Sequence, residues 1–394
     1  MIANLRFLEG INMSEWKEYK LGELAIEGKG GYGIAAPAVD FDINKYTYLR
    51  ITDINDDGTI NRNSLKSVDD INASNYLLKP NDIVFARTGA SVGRSYFYDE
   101  KDGELVYAGF LIKFSLNPDK VNPKILKYYT HSQPYYDWVV SVDNGATRGN
   151  INAQIYASMP IILPSRNMQD EIVSILSSLD DKIDLLHREN ATLEAMAETL
   201  FRQWFIEEAK EDWEEVSLTH IATFLNGLAC QKYPPKNEIE KLPVLKIREL
   251  TNGIGKDCDW ATIDVDKEYI IYRGDVIFAW SASLMVKIWN GDNCVLNQHL
   301  FKVTSDKYPK WFYYLWCKQH LAEFIAIAQS HATTMGHIKR SDLEKAIVLV
   351  PSDKEMEIMG EKMEYLLLKI ENNNQQITAL SHLRDNLLLN IMNG

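Results

Sequence analysis

YLLKPNDIVFARTGAS, residues 76–91, returns at residues 269–283 as YIIYRGDVIFAWSAS. In both copies an Asn-Asp or Gly-Asp pair turns the chain into a run of β-branched and aromatic residues, 83–86 and 276–279, which reads as a buried strand behind a tight turn. The echo extends outward from there. Trp16-Lys-Glu matches Trp213-Glu-Glu, and YLRITDINDDGTI from Tyr48 matches VLKIRELTNGIG from Val244. AGFLIKFSLNPDKVNPKILKYY then corresponds to LNQHLFKVTSDKYPKWFYYL, and NGATRGNINAQIYASMPIILP to SHATTMGHIKRSDLEKAIVLVP. The order never changes, while the offset shrinks from 197 (Trp16 to Trp213) to 187 (Pro164 to Pro351), so the second copy has shed loop residues and kept its elements. Each copy mixes short strands with a helix that begins near Pro123 or Pro309, and closes with an apolar strand ending at Pro164 or Pro351. That predicts an α+β chain with two globular domains of about 150 residues.

A long helix follows each closing proline. Its start signals are Asn167 with Asp170 in the first copy and the capping box Ser352-Asp-Lys-Glu355 in the second. In the first helix Ile172, Leu176, Leu179, Ile183, Leu186, Asn190, Leu193, Ala197, Leu200 and Trp204 alternate at spacings of four and three. The second repeats the spacing with Met359, Met363, Leu366, Ile370, Asn373, Ile377, Leu380, Arg384, Leu387 and Ile391. Sustained heptads predict a coiled-coil seam, the alternative being that each helix only packs on its own domain. The offset of 187 maps Asn373 onto position 186, so an antiparallel pair with a pseudo-twofold near position 188 sets Asn190 opposite Asn373. An amide pair buried in the seam would fix its register.

Composition sets limits on the rest. With 46% hydrophobic and 25% charged residues the chain is globular, and 394 residues call for two or more domains. No apolar run reaches the roughly 18 residues of a membrane span, and the first residues lack the apolar core of a secretory signal, so a cytoplasmic protein is expected. Cys230, Cys258, Cys294 and Cys317 match neither zinc-site nor disulfide spacing and are expected to be reduced core thiols. A net charge of -13 argues superficially against a nucleic-acid partner, but its distribution reverses that. Residues 14–165 carry 16 basic against 19 acidic groups and residues 212–351 carry 16 against 17, whereas 167–211 and 352–394 supply -10 of the total. The acidity belongs to the long helices.

Two variable domains, each followed by a long helix, with IVFARTGASVG, IFAWSAS, LNQHLFKV and MGHIKRSDLEKAIVLVP in this order, resemble the specificity subunits of type I restriction-modification enzymes. The resemblance covers essentially everything after Met13. It implies an N-terminal extension (1–13), a first target-recognition domain (14–165), a first helical spacer (166–211), a second recognition domain (212–351) and a second spacer (352–394). It further implies a non-catalytic targeting subunit that reads an asymmetric bipartite site in double-stranded DNA, one half per domain. Two copies of a modification (methyltransferase) subunit and, through the complex, a restriction subunit would be its partners. A helix of about 40 residues is about 60 Å long, enough to hold two readers over major-groove faces about 34 Å apart.

The residues offer no chemistry of their own. Tyr233-Pro-Pro-Lys236 is the only Pro-Pro, and it lacks the acid or amide and the trailing aromatic that a methyltransferase needs around a flipped base. No phosphate-binding lysine loop, HExxH or spaced metal cluster occurs, and no cofactor is expected. GKGGYG at Gly28–Gly33 fits a dinucleotide-loop pattern literally but has no strand before it and no helix after it. It is either a plain turn or a backbone approach to DNA phosphate, with Lys29 and Tyr32 within it as contact candidates. His299 reads as a strand-edge histidine satisfied by a backbone hydrogen bond. For DNA contact the candidates are Arg87, Thr88, Ser91 and Arg94 after the first buried strand, since arginine grips guanine or phosphate. Trp280, Ser281, Ser283 and Lys287 stand at the matching place without either arginine, and a solvated surface loop is the bland alternative for both. A second set is Thr147, Arg148 and Asn150, echoed by Thr333, Thr334, His337, Lys339 and Arg340. Phe201, Trp204 and Phe205 are too many aromatics for a bare two-helix seam and, with Ile391 in the stretch Leu387–Met392, are expected to dock modification subunits. Two competing classes, a self-sufficient nuclease or methyltransferase and a coiled-coil assembly protein without DNA specificity, are opposed respectively by the missing motifs and by any measured sequence preference.

Overall fold

Both apolar quartets are central strands, buried along their whole length, in a computed structural model that describes residues 16–143, 150–255, 257–330 and 336–393. The extension at residues 1–13 lies outside the described residues. Packing divides the chain into two units, one of residues 1–183 with 379–394 and one of residues 184–378. The division falls within the long helices, so each recognition domain packs with a part of both.

In the first unit the antiparallel sheet runs Gly31–Tyr32, Leu111–Ser115, Asp82–Ala86, Ser95–Phe97. A second sheet runs Ala38–Asp40, Lys66–Val68, Thr47–Leu49, Leu105–Tyr107, its last pair parallel. The ribbon Lys17–Lys20 with Pro160–Leu163 ties the two ends of the domain together just before the long helix. The second unit repeats this plan. Its sheets run Thr223–Asn226, Leu300–Thr304, Val276–Ala279, Met285–Ile288 and Trp260–Thr262, Lys241–Leu245, Cys294–Leu296, Ile270–Ile271, and Glu214–Ser217 pairs with Ile347–Val350.

The turn that launches each central strand explains why the repeat keeps Asn-Asp and Gly-Asp. Asn81 and Gly274 take left-handed conformations, φ 70° and 90°, which asparagine and glycine tolerate best. The next residue folds its carboxylate back: Asp82 accepts from the Lys79 N–H at 2.9 Å and Asp275 from the Tyr272 N–H at 2.8 Å. Each then pairs with a lysine from the neighbouring strand, Lys113 at 3.1 Å or Lys302 at 2.8 Å. Above this turn Phe85 stacks on Tyr156 at 4.7 Å, and Phe278 stacks on Phe324 at 5.8 Å. All four cysteines are free and buried, and burial pushes the Cys230 thiol up to about 11.

The first long helix spans Arg166–Arg202 and the second Asp353–Asn393. Ser352 and Glu355 cap the second reciprocally, with Ser352 N–H to Glu355 Oε2 at 3.1 Å and Glu355 N–H to Ser352 Oγ at 3.4 Å. The first starts two residues sooner than the Asn167 cap allows. Ser165 accepts the first helical bond from Gln169, and Asp170 binds Arg166 Nε and Asn122 Nδ2 instead of capping. Within the second unit the helices are antiparallel: Asn190 meets Asn373 while Lys210, beyond the end of the first helix, meets Glu355 near the start of the second. Asn373 Nδ2 donates to Asn190 Oδ1 at 2.9 Å, and Asn190 Nδ2 donates to Asn374 Oδ1 at 2.8 Å. Asn373→Leu leaves the Asn190 carbonyl without its donor in a dry seam, and should lower stability by about 1–3 kcal/mol. Replacing both Asn190 and Asn373 by leucine should recover most of that loss, because Asn373 Oδ1 has no partner to lose and the half-buried Asn374 amide can turn to solvent. Chemical denaturation of both variants checks this, and a double variant weaker than the single would refute it.

Candidate nucleic-acid interface

Where the central strand of the first unit ends, the backbone fixes Arg87 from both sides. Its N–H donates to the Phe110 carbonyl at 3.1 Å and its carbonyl accepts from the Ile151 N–H at 2.9 Å. Thr88 bridges Asn150 in antiparallel fashion. The guanidinium lies 5.0 Å from the Tyr32 ring centroid, and its Nε and Nη2 both reach Asn150 Oδ1 at 3.3 Å. Tyr32 is braced in turn, its hydroxyl accepting from the Ala153 N–H at 3.2 Å. Tyr32, Arg87, Thr88 and Asn150, far apart in sequence, thus form one group at the sheet's end. Lys29 is exposed nearby in the chain, and Gly33 is structural: a Cβ there would sit 2.2 Å from the Tyr107 carbonyl, as one at Gly227 would sit 2.3 Å from that of Asn297.

Ser91 and Arg94 do not join that group. Ser91 is buried with its carbonyl capping the Arg94 N–H, and Arg94 is spent on Asp56 Oδ1 at 2.7 Å and the Ile54 carbonyl at 3.1 Å. A loop arginine reads as a ligand for phosphate until the partner that neutralises it, distant in sequence, is visible.

The second unit builds the same backbone frame. Trp280 N–H donates to the His299 carbonyl at 3.4 Å, Trp280 accepts from the Ile338 N–H at 3.1 Å, and Ser281 bridges His337. Its indole stacks on Phe301 at 5.7 Å and donates to Asn226 Oδ1 at 3.2 Å, with the rings of His299 and His337 at 6.0 and 6.3 Å. Ser281 is buried, and its hydroxyl holds His299 Nδ1 at 3.1 Å, so His299 is satisfied by side chains, Ser281 and Gln298, instead of the expected backbone bond. Ser283 is exposed on the loop beyond. Lys287 lies two positions down the hairpin strand, donating to the Leu250 carbonyl at 3.2 Å, and desolvation lowers its pKa below an ordinary lysine's. Lys339 precedes the helix Arg340–Lys345, its N–H bound to Asp342 at 2.7 Å, with Arg340 exposed in the first turn. Thr147, Arg148, Thr333 and Thr334 lie outside the described residues.

The aromatic residues assigned to docking are mostly core. Phe201 and Phe205 are buried against Trp316, which fills the second recognition domain, and Ile391 is buried with Leu176 and Leu179 in the first unit's cluster. Only Trp204 is half-exposed, with Lys362 over its ring. The heptad pattern could not separate a seam from a helix that also roofs a domain. A cleft of about 870 Å³ in the second unit, lined by Glu194, Glu198, Lys287, Lys310 and Lys318 among others, contains none of the Trp280 group. Among the described residues no group of three His, Cys, Asp or Glu side chains is placed to hold a metal, and no helix is long and apolar enough to cross a membrane.

Two segments, residues 13–195 and 210–382, match the family described as the type I restriction modification DNA specificity domain. The chain belongs to that family. Its duplicated match coincides with the duplicated frame around Arg87 and Trp280. The chain is 23% identical to the type I restriction enzyme MjaIX specificity subunit of Methanocaldococcus jannaschii, over 70% of this chain and 69% of that protein. It is 27% identical to the HindI specificity subunit of Haemophilus influenzae over 50% of this chain, spanning 42% of that relative's length. The fold is similar to the crystal structure of the type I restriction-modification S subunit from M. genitalium, at a TM-score of 0.51 and 14% identity over 97% of this chain and 96% of that one. In this specificity-domain protein the sheet ends carrying Arg87 and Trp280 are the candidate DNA-reading surfaces.

Proposed function

We propose that this chain is the non-catalytic DNA-recognition subunit of a type I restriction-modification complex, reading an asymmetric bipartite site with one half per recognition domain. The observation that carries this reading is the repeated backbone frame that presents different side chains, Arg87 in one unit and Trp280 in the other, from the same strand end. Identical frames with unlike chemistry suit two half-sites of unlike sequence. A 37-residue helix extends about 55 Å, longer than one turn of DNA. Two copies of a modification subunit and a restriction subunit would dock on the helices. With Phe201, Phe205 and Ile391 internal, docking passes to half-exposed Trp204 and to exposed apolar residues such as Met196, Tyr365 and Leu368 in the second unit and Leu389 in the first.

The test is a genome-wide methylation map of cells expressing the chain with its modification subunit, against cells with the modification subunit alone. A new asymmetric, bipartite adenine-methylated motif is the expected result. Co-purification of the two subunits without any motif would overturn the function and leave a structural role for the helices. Because both recognition domains are nearly neutral, the isolated chain should bind DNA weakly and lose binding steeply with salt, as electrophoretic shifts at two ionic strengths would register.

A further inference from the structure

Hydrogen-bond register places four positions of the first unit in correspondence with four of the second. Ala86 pairs with Leu111 as Ala279 pairs with Leu300, so Phe110 corresponds to His299 and Arg87 to Trp280. Tyr32 opposite Ile112 corresponds to Asn226 opposite Phe301, and the bridges of Thr88 and Ser281 relate Asn150 to His337. None of the four keeps its chemistry between copies. The strands beneath them do, down to the Asp82–Lys113 and Asp275–Lys302 pairs.

Resting on the DNA-reading function above, we propose that these four positions are the base-reading head of each domain, and that the first head reads a guanine while the second reads a thymine methyl. Tyr32 and Asn150 hold the Arg87 fork planar and in one orientation, and among the described residues no acceptor engages Nη1. Its outer Nη1–Nη2 edge carries two parallel donors, the complement of guanine O6 and N7. Phe110, 59% exposed, sits beside it as an apolar wall against the neighbouring base pair. In the second head the indole's single donor is spent on Asn226, and no arginine or lysine occupies any of the four positions. What Trp280 offers is an apolar ring clamped on Phe301, which suits a C5 methyl group and no guanine fork.

The experiment is methylation mapping of the intact complex carrying Arg87→Gln, Arg87→Lys, Phe110→Ala or Trp280→Ala, with subunit co-purification measured for each. The wild-type half-site that responds to the Arg87 variants should contain a guanine. Arg87→Gln should cut discrimination at that base pair roughly ten- to a hundredfold, with adenine rising in its place, and leave the other half unchanged. Arg87→Lys keeps the charge but not the fork and should relax the same position; it serves if the glutamine variant fails to assemble. Trp280→Ala should relax a T·A pair in the other half only. Uniformly weaker methylation with an unaltered motif would mean that Arg87 grips phosphate, and would overturn the inference while sparing the function, as would a responding half-site without guanine. A wild-type complex that writes no motif overturns both.

Discussion

Truncating Phe205 to alanine is expected to cost about 3–5 kcal/mol, the usual loss for an aromatic ring removed from a packed core. The side chain is 1% exposed and sits among Phe201 at 4.7 Å, Trp213 at 5.3 Å, and Phe312 and Trp316 at 5.6 Å. These rings belong to the end of the first long helix, the bend just before the second domain's first strand, Glu214–Ser217, and the helix Lys310–Gln319, so one truncation loosens the joint where helix and domain meet. Tryptophan fluorescence through a urea titration reads it directly, since Trp213 and Trp316 flank the cavity. Trp204→Ala, one residue away and half-exposed, should change stability far less; equal losses in the two variants would show that the orientation of this turn is wrong.

Asp180→Ala is expected to destabilise the first unit by about 2–3 kcal/mol, discounted from the cost of breaking a buried ion pair because Lys127 is 42% exposed. Asp180 joins three elements: Lys127 reaches it at 2.6 Å, Tyr128 Oη at 3.0 Å, and Arg384 of the second helix at 3.1 Å. Burial alone would raise this carboxyl's pKa; Lys127, with Arg384, outweighs it and holds the group below the usual carboxylate range. Because the folded value lies below the unfolded one, the contribution is whole above about pH 4 and is lost as pH falls through the folded pKa. The stability gap between wild type and Asp180→Ala should therefore narrow between pH 7 and pH 3, and a gap independent of pH would sink this account. In the second unit the offset of 187 puts Leu367 and Ala197 in place of Asp180 and Arg384, and the ion pair between helix Lys310–Gln319 and the first long helix is instead Lys318 with Glu198.

Much of the architecture is legible locally. Asn81-Asp82 and Gly274-Asp275 announce a turn because only certain residues accept a left-handed backbone and a short Asp side chain can close it onto an N–H three residues back. The heptads give the long helices, and the two asparagines on them give the antiparallel register, since an amide in a dry seam needs another amide. The proposed reading head is half legible. Arg87, Tyr32 and Asn150 were identifiable as polar or aromatic residues in loops and His299 as a strand-edge histidine, but Phe110 and Asn226 carried no signal, because what brings them beside Arg87 and Trp280 is strand register.

What the sequence determined, then, is everything set by neighbours in the chain: the duplication, the turns, the strand and helix periods, and the segregation of acidic charge to the helices. What the tertiary structure decided is which side chains are spent internally and which remain to face a ligand. Arg94 and Arg87 look alike in a row of letters. Arg94 meets Asp56 from 38 residues away and Arg87 meets the Tyr32 ring and the Asn150 amide, so one charge is neutralised and the other, among the described residues, is held without a carboxylate. Phe205 likewise lies on an amphipathic stripe that ends in a domain core, since a helix period fixes which face is apolar but not what covers it.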